Sequence, residues 1–312
     1  MTALTAYVLP AQAQQYPAQD IHFICAFPPG SGADVLVRYF AEKVRPLTGR
    51  NIVVENRAGA GGNIAMQFVS RAKPDGYTIF VHAGSSIASN MHLYKTPPFP
   101  DAGKAIQVAA TINRQPFMMV VDAKTPYKTV ADVTAAMKPL GEKATYGSAA
   151  PTGTVMGELY KIRTGVNAVE VVYKSAPDGL NDMASGSVQF GFHDPVFSLA
   201  QQREGRLRIL GVSTGERLQA SPDLPTMKEQ GIDMDLTGWW AAMVPQGTPK
   251  AVVDQINKWF VQVVSSPETK EFLAKFGGDT LIETPDQGQD RLLKDVMRWG
   301  EYIKAAKIQP QG

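Results

Sequence analysis

Four short stretches concentrate glycine and small hydroxyl residues: Phe27-Pro28-Pro29-Gly30-Ser31-Gly32-Ala33-Asp34, Ala83-Gly84-Ser85-Ser86-Ile87-Ala88, Gly147-Ser148-Ala149-Ala150-Pro151-Thr152-Gly153 and Tyr173-Lys174-Ser175-Ala176. Glycine lets a ligand come close to the backbone. N–H groups at a helix start carry partial positive charge, and hydroxyls add donors without a fixed charge. Taken singly, each stretch reads equally well as a tight strand-to-helix turn, which favours the same residues. Taken together, two in each half of the chain, they point to a shared anion-binding cleft.

Other chemistries fit these residues less well. Gly84-Ser85-Ser86-Ile87-Ala88 approximates the Gly-x-Ser-x-Gly turn of a serine hydrolase, with Asp178 or Asp182 and then His193 completing the set. The last glycine is absent, and His193 is expected on the opposite lobe, whereas a general base must lie about 3 Å from its nucleophile. That hydrolase, built on Ser86 and His193, is the alternative to a binding protein. Gly59-Ala60-Gly61-Gly62-Asn63-Ile64 fails as a dinucleotide fingerprint because Ile64 stands at the third glycine position. His22, His82, His92 and His193 show no metal-ligand spacing, so no metal and no cofactor is expected. His22 and His82 read as core or rim residues of strands. His193-Asp194 follows a strand and is expected to face the cleft, where Asp194 either accepts a ligand N–H or O–H or caps the next helix.

The elements that position these loops alternate between strand and helix periods, which argues for α/β units with mainly parallel sheets. In an open sheet of that kind ligands bind beyond the carboxyl ends of the strands. Strands are expected at 21–26, 51–55 and 78–82, with helices at 33–47 and 62–72. The first helix should bury Val35, Leu36, Tyr39, Phe40, Val44 and Leu47. A strand at 117–121 then leaves this lobe. A second series follows: strands at 144–147, 169–172, 188–192 and 208–212, with helices at 129–137, 152–163, 179–184 and from Phe197. A strand at 241–244 and helices at 250–264, 267–276 and 287–305 close the chain. The expected architecture is a two-lobed Venus-flytrap fold, with residues 14–120 and 237–312 as one lobe and 121–236 as the other.

Composition narrows the function. The 312 residues carry a net charge of +2, with 44% hydrophobic and 19% charged residues, so the clustered basic surface of a nucleic-acid binder is missing. Cys25 is the single cysteine, which rules out an intrachain disulfide and a multi-cysteine metal site. An apolar run at 4–9 precedes Pro10-Ala11-Gln12-Ala13, which has the small-x-small form of a signal-peptidase site. Residues 1–13 therefore read as the remnant of a signal peptide, its basic start missing, on an exported protein that begins near Gln14.

At its loops the chain resembles the extracytoplasmic solute receptors of tripartite tricarboxylate transporters, the Bug family. The matching segments include Phe27-Pro28-Pro29-Gly30 with Asp34, the specific run Val53-Val54-Glu55-Asn56-Arg57-Ala58-Gly59-Ala60-Gly61-Gly62-Asn63-Ile64, Pro74-Asp75-Gly76-Tyr77-Thr78, Tyr173-Lys174, Gly211-Val212-Ser213 and Pro245-Gln246-Gly247-Thr248-Pro249. The resemblance implies a periplasmic receptor without cofactor, usually for carboxylates, that delivers its ligand to transporter membrane subunits. It implies a proximal carboxylate held by Phe27, Ser31, Gly32 and Ala33 together with Gly84, Ser85, Ser86, Ile87 and Ala88. The second lobe would contribute Ser148, Thr152, Tyr173, Lys174 and Asp194. The chain departs from the family at Ser175, at Pro195 and over 99–105, and these changes bear on the distal part of the ligand. A dicarboxylate is the best expectation, aliphatic or aromatic such as terephthalate, since Phe27, Phe192 and Trp239 leave room for a ring. A receptor that must open is expected to be a monomer.

Overall fold

The computed structural model describes residues 16–311, so the expected leader at 1–13 lies outside the described residues. Strand β1 (Ile21–Cys25) runs as a buried apolar ribbon into the first loop, and helix α1 (Gly32–Thr48) follows. Ser31 caps α1 by accepting from Asp34 N at 3.2 Å, and Gly49 ends it in the left-handed region at φ 65°. The buried stripe is Leu36, Val37, Phe40 and Val44, while Val35 is 44% exposed. The apolar face is thus turned slightly from the one the sequence suggested, with Val37 inside in place of Val35.

β2 (Ile52–Asn56), α2 (Asn63–Ser70), β3 (Thr78–Ala83), α3 (Gly84–Leu93), α4 (Ala102–Ala105) and β4 (Ile106–Gln115) complete the first pass through lobe 1. The chain then enters lobe 2 through β5 (Met118–Asp122), α5 (Val130–Met137), β6 (Thr145–Ser148), α6 (Pro151–Thr164), β7 (Val169–Val172), α7 (Leu180–Ser185), β8 (Phe190–His193), α8 (Pro195–Arg203) and β9 (Leu207–Val212). It returns by β10 (Gly238–Pro245), α9 (Lys250–Val264), α10 (Pro267–Lys275), β11 (Asp279–Thr280) and α11 (Pro285–Ala305).

Two sheets result, in the orders β11-β4-β10-β3-β1-β2 and β7-β6-β8-β5-β9. The expected two-lobed α/β architecture holds, but the pairing is mixed rather than mainly parallel. β1 pairs in parallel with β2 and β3, and β6 with β7 and β8; every pairing of β4, β5 and β10 is antiparallel. The reason is connectivity. β4 passes straight into β5 and β10 returns from β9, so the strands beside each crossing run against the βαβ ladder.

The two crossings are laced together at one residue. Ser213 Oγ accepts from Phe117 N at 2.9 Å and donates to Leu236 O at 2.5 Å. Its backbone N donates to Phe117 O at 2.9 Å, and its carbonyl accepts from Leu236 N at 2.8 Å. These bonds hold the two connecting segments side by side.

In lobe 1, α1 and α9 cover one face of the sheet through Phe23, Phe40 and Phe260, while Met66, Trp239 and Leu292 fill the other. The lobe 2 core centres on Tyr146, Tyr160, Phe190 and Phe192 and runs on through Ala88 and Leu93 of α3 and Trp299 and Ile303 of α11. The lobes are therefore joined by an apolar seam as well as by two strands.

Candidate ligand cleft

Asp34 shapes the first loop. It is 2% exposed; its Oδ2 accepts from Gly30 N at 2.8 Å and Arg38 Nε at 2.8 Å, and its Oδ1 from Asn56 Nδ2 at 2.7 Å. Asn56 Nδ2 also donates to Phe27 O at 2.9 Å, which fixes the loop at its other end. Burial alone would raise the Asp34 pKa, but the hydrogen bonds from Arg38, Asn56 and Gly30 outweigh it and hold the carboxyl below the usual range. In the sequence Asp34 and Asn56 stand out only as parts of a motif. In the fold they are the frame on which Phe27, Ser31, Gly32 and Ala33 hang. Ser31 turns its hydroxyl back to Pro28 O at 2.8 Å, so its part is local.

The second loop is the start of α3. Its cap residue, Ala83, brings no side chain to the first turn, so the N–H groups of Gly84, Ser85 and Ser86 form an uncapped helix N-terminus. A Cβ on Gly84 would collide with the six-membered ring of Trp239. Trp239 is held in turn by Asp295, whose Oδ2 accepts from the indole Nε1 at 2.6 Å. Ser85 is buried, as are Ile87 and Ala88, and Ser86 is half-buried.

His82, in β3 just before this turn, is fully buried, with neither ring nitrogen hydrogen-bonded. It is packed against Phe27, Phe80 and Trp240 at centroid distances of 5.4, 4.7 and 5.9 Å. Burial pushes its pKa down to about 3. The site in lobe 1 therefore carries donors and dipoles but no nearby free charge.

Lobe 2 approaches from the other side. A Cβ on Gly32 would lie 3.2 Å from Val196 Cγ1, and one on Gly277 would lie 2.8 Å from Pro195 Cβ, so the start of α8 touches lobe 1. α3 also packs against α6. α6 begins at an uncapped Ala150 with Pro151 at its first position, and Thr152 behind it is buried.

The hydroxyls expected to serve a ligand here are otherwise engaged. Ser148 Oγ donates to Glu170 Oε1 at 2.6 Å, and Thr154 Oγ1 donates to the same oxygen at 2.5 Å. Tyr173 OH donates to Asp182 Oδ2 at 2.6 Å. Ser148 and Tyr173 thus donate to acids of their own lobe. Lys174 is exposed.

His193 and Asp194 end β8. His193 is 5% exposed, its Nδ1 has no partner, and its ring stands edge-on to Phe197 at 5.2 Å. Burial lowers its pKa to about 4. Asp194 caps α8, its Oδ1 accepting from Phe197 N at 3.0 Å. It remains open to solvent although His193 and Pro195 beside it are buried. Surrounding protein desolvates it and raises its pKa.

The hydrolase set is not assembled. Among the described residues no hydrogen bond joins Ser86 to His193. Asp178 accepts from Ser175, N at 2.9 Å and Oγ at 2.8 Å, while Asp182 is taken by Tyr173. The sequence reading missed Glu170 and Asp295 altogether, because each acts on a partner far along the chain.

The two buried histidines make acid stability a prediction. Both have folded pKa values below the ordinary 6.5, so their contribution is complete above that pH and is lost as the pH falls toward about 4 for His193 and about 3 for His82. Thermal melts from pH 7 to pH 4 should show a falling midpoint, and His193→Gln should flatten that fall. A fall just as steep in the variant would contradict the assignment for His193.

Comparison with known proteins places this geometry. The family model described as "Tripartite tricarboxylate transporter family receptor" matches residues 36–308. Protein BugT of Bordetella pertussis is 28% identical over 306 residues, spanning 97% of this chain and 94% of the relative. Among solved structures, R. palustris Rpa4515 with adipate has a TM-score of 0.86 at 28% identity, covering 95% of this chain and 100% of that one. The periplasmic binding protein BugD has a TM-score of 0.82 at 26% identity, again over 95% and 100%.

Proposed function

The chain belongs to the tripartite tricarboxylate transporter receptors, which bind solutes for transporter membrane subunits and are not enzymes, and on that premise we propose that it captures a small carboxylate between its two lobes in the periplasm. The observation that carries the proposal is the uncapped N-terminus of α3, where three N–H groups meet no capping side chain and Gly84 lets the turn sit directly against Trp239. Such a terminus favours an anion without the desolvation a buried lysine or arginine would demand. The neighbour of similar sequence solved with adipate supports the ligand class. Among the described residues no helix is long and apolar enough to cross a membrane, in keeping with a receptor that meets its transporter from outside.

In this reading Gly84, Ser85, Ser86, Ile87 and Ala88 receive the carboxylate. Phe27, Ser31, Gly32 and Ala33 form the wall held by Asp34, and Thr152, His193 and Asp194 close from lobe 2. One chain is the functional unit, and lobe closure about the Ser213 hinge is its motion. A thermal-shift screen of carboxylates against their neutral amides tests it. A ligand at about 100 times its Kd adds roughly 2.7 kcal/mol of stability, which the amide should not reproduce. Equal shifts with acid and amide, or none with any carboxylate, would sink the proposal.

Backbone groups carry most of this recognition, which sets the expectation for Ser86. Ser86→Ala removes one hydroxyl worth about 0.5–1.5 kcal/mol, so affinity should fall by roughly 2–12-fold and not vanish. Titration calorimetry measures this directly. A loss beyond about 100-fold would place recognition on the hydroxyl and not on the helix N-terminus.

A further inference from the structure

Where the strands of lobe 2 end, the charge balance is the reverse of what a second carboxylate needs. The segments 145–154, 169–182 and 190–198 carry Glu170, Asp178, Asp182 and Asp194 against the single cation Lys174. Lys174, Asp178 and Asp194 are all exposed, so water and salt screen their charges alike and the excess of acids remains. The hydroxyls do not compensate. Ser148 and Thr154 both spend their protons on Glu170 Oε1, and Tyr173 spends its own on Asp182 Oδ2. A hydroxyl committed in this way turns lone pairs toward whatever lies in front of it, and so acts as an acceptor. His193 adds no positive charge, since burial holds it neutral at ordinary pH.

Asp194 is the acid placed to meet a ligand. It caps α8, the helix whose next residues Pro195 and Val196 touch lobe 1 at Gly277 and Gly32. Its Oδ1 accepts from Phe197 N, and its side chain reaches solvent between buried neighbours. A carboxylate in that position accepts hydrogen bonds and repels a second anion. The uncharged donors of lobe 2 reduce to the Thr152 hydroxyl, the single ring N–H of neutral His193 and the first turn of α6. That turn already has Gly153 N donating to Ala150 O at 2.9 Å and Thr154 N to the same oxygen at 3.2 Å.

We propose that the ligand is a monocarboxylate whose far end carries a hydrogen-bond donor, an amide, ammonium or hydroxyl, received by Asp194 and the acceptor-lined end of lobe 2, and that dicarboxylates are discriminated against. This rests on the reading that the α3 terminus holds the first carboxylate. It departs from the dicarboxylate expected from the sequence.

The test is calorimetric titration of the diacids from succinate to suberate, each with its half-amide and its diamide. For the length that binds best, the half-amide should bind about tenfold or more tighter than the diacid, with the diamide silent. Asp194→Asn keeps a good helix cap, so the fold survives, and the preference for the half-amide should shrink to under about threefold. Lys174→Gln should leave the preference unchanged. A diacid that binds the unmodified protein as tightly as its half-amide overturns the inference and leaves the carboxylate reading standing. So does a preference indifferent to Asp194→Asn, or diacid binding that depends on Lys174. A diamide that binds as well as the half-amide overturns the carboxylate reading itself, and silence across all three series overturns both.

Discussion

Replacing Trp239 with alanine should cost about 3–5 kcal/mol of stability and lower the ligand affinity at least tenfold. The side chain is 1% exposed, and its ring is the floor against which Gly84 rests. Truncation opens a cavity under the first turn of α3 and removes the contact that Gly84 makes with β10 at this position. It also strips Asp295 of the indole donor. Asp295 is 7% exposed, and burial already raises its pKa against the help it draws from Trp239. A buried carboxyl left without its partner is costly in its own right. Trp239→Phe keeps most of the packing and loses only the hydrogen bond, so it should fall well short of the alanine variant in both melting and titration. If Trp239→Ala bound ligand with unchanged affinity, the turn would not depend on its floor.

The second large effect should come from Asp34→Ala. Three donors converge on this carboxylate, and removing it leaves Gly30 N to water and Asn56 Nδ2 with Phe27 O as its remaining acceptor. Arg38 is half-exposed, so water recovers part of its loss. The expected cost is about 2–4 kcal/mol, with a weaker site because Phe27 O and Gly30 N no longer hold the loop in shape. The same residue predicts a pH effect of its own. Its folded pKa lies below the ordinary 3.8, so its stabilisation is present above that pH and is lost as the pH falls through the folded value. This window lies at or below the lower end of the histidine window, so acid melts of Asp34→Ala and His193→Gln should differ in different pH ranges.

Much of this was legible before any coordinates. Helix α9 and strand β7 fall where the apolar period places them, and the glycine-hydroxyl loops do sit at the carboxyl ends of strands. β4 was not legible. Its sequence, with Ala109, Ala110, Asn113 and Arg114, has little strand character, yet it is buried between β10 and β11. Packing decides it. The small alanines let helices close over the strand, and side chains complete its hydrogen bonds: Gln289 Oε1 accepts from Val108 N at 2.8 Å and Asn257 Nδ2 donates to Ala109 O at 2.9 Å. α3 is not legible as a helix either, because its opening serines and glycine favour turns over helix interiors, and its stability comes from burial between the lobes.

The candidate site divides in the same way. Positions that act through their own backbone, such as Gly84 and Ser85, can be read from local composition. Residues that act through distant partners cannot. Nothing near Ser148 announces that Glu170 takes its proton, and nothing near Gly84 announces Trp239. Local composition therefore marks the glycine-hydroxyl loops, but not which of their hydroxyls are already engaged by acids of the same lobe.

The most direct measurement is a crystal structure of the protein with its tightest carboxylate bound. The account predicts carboxylate oxygens within about 2.7–3.2 Å of the N–H groups that open α3, at Ser85 and Ser86, with the rest of the ligand running toward Asp194. A carboxylate seated at the start of α6 or on Lys174, with the α3 terminus facing only solvent, would contradict it.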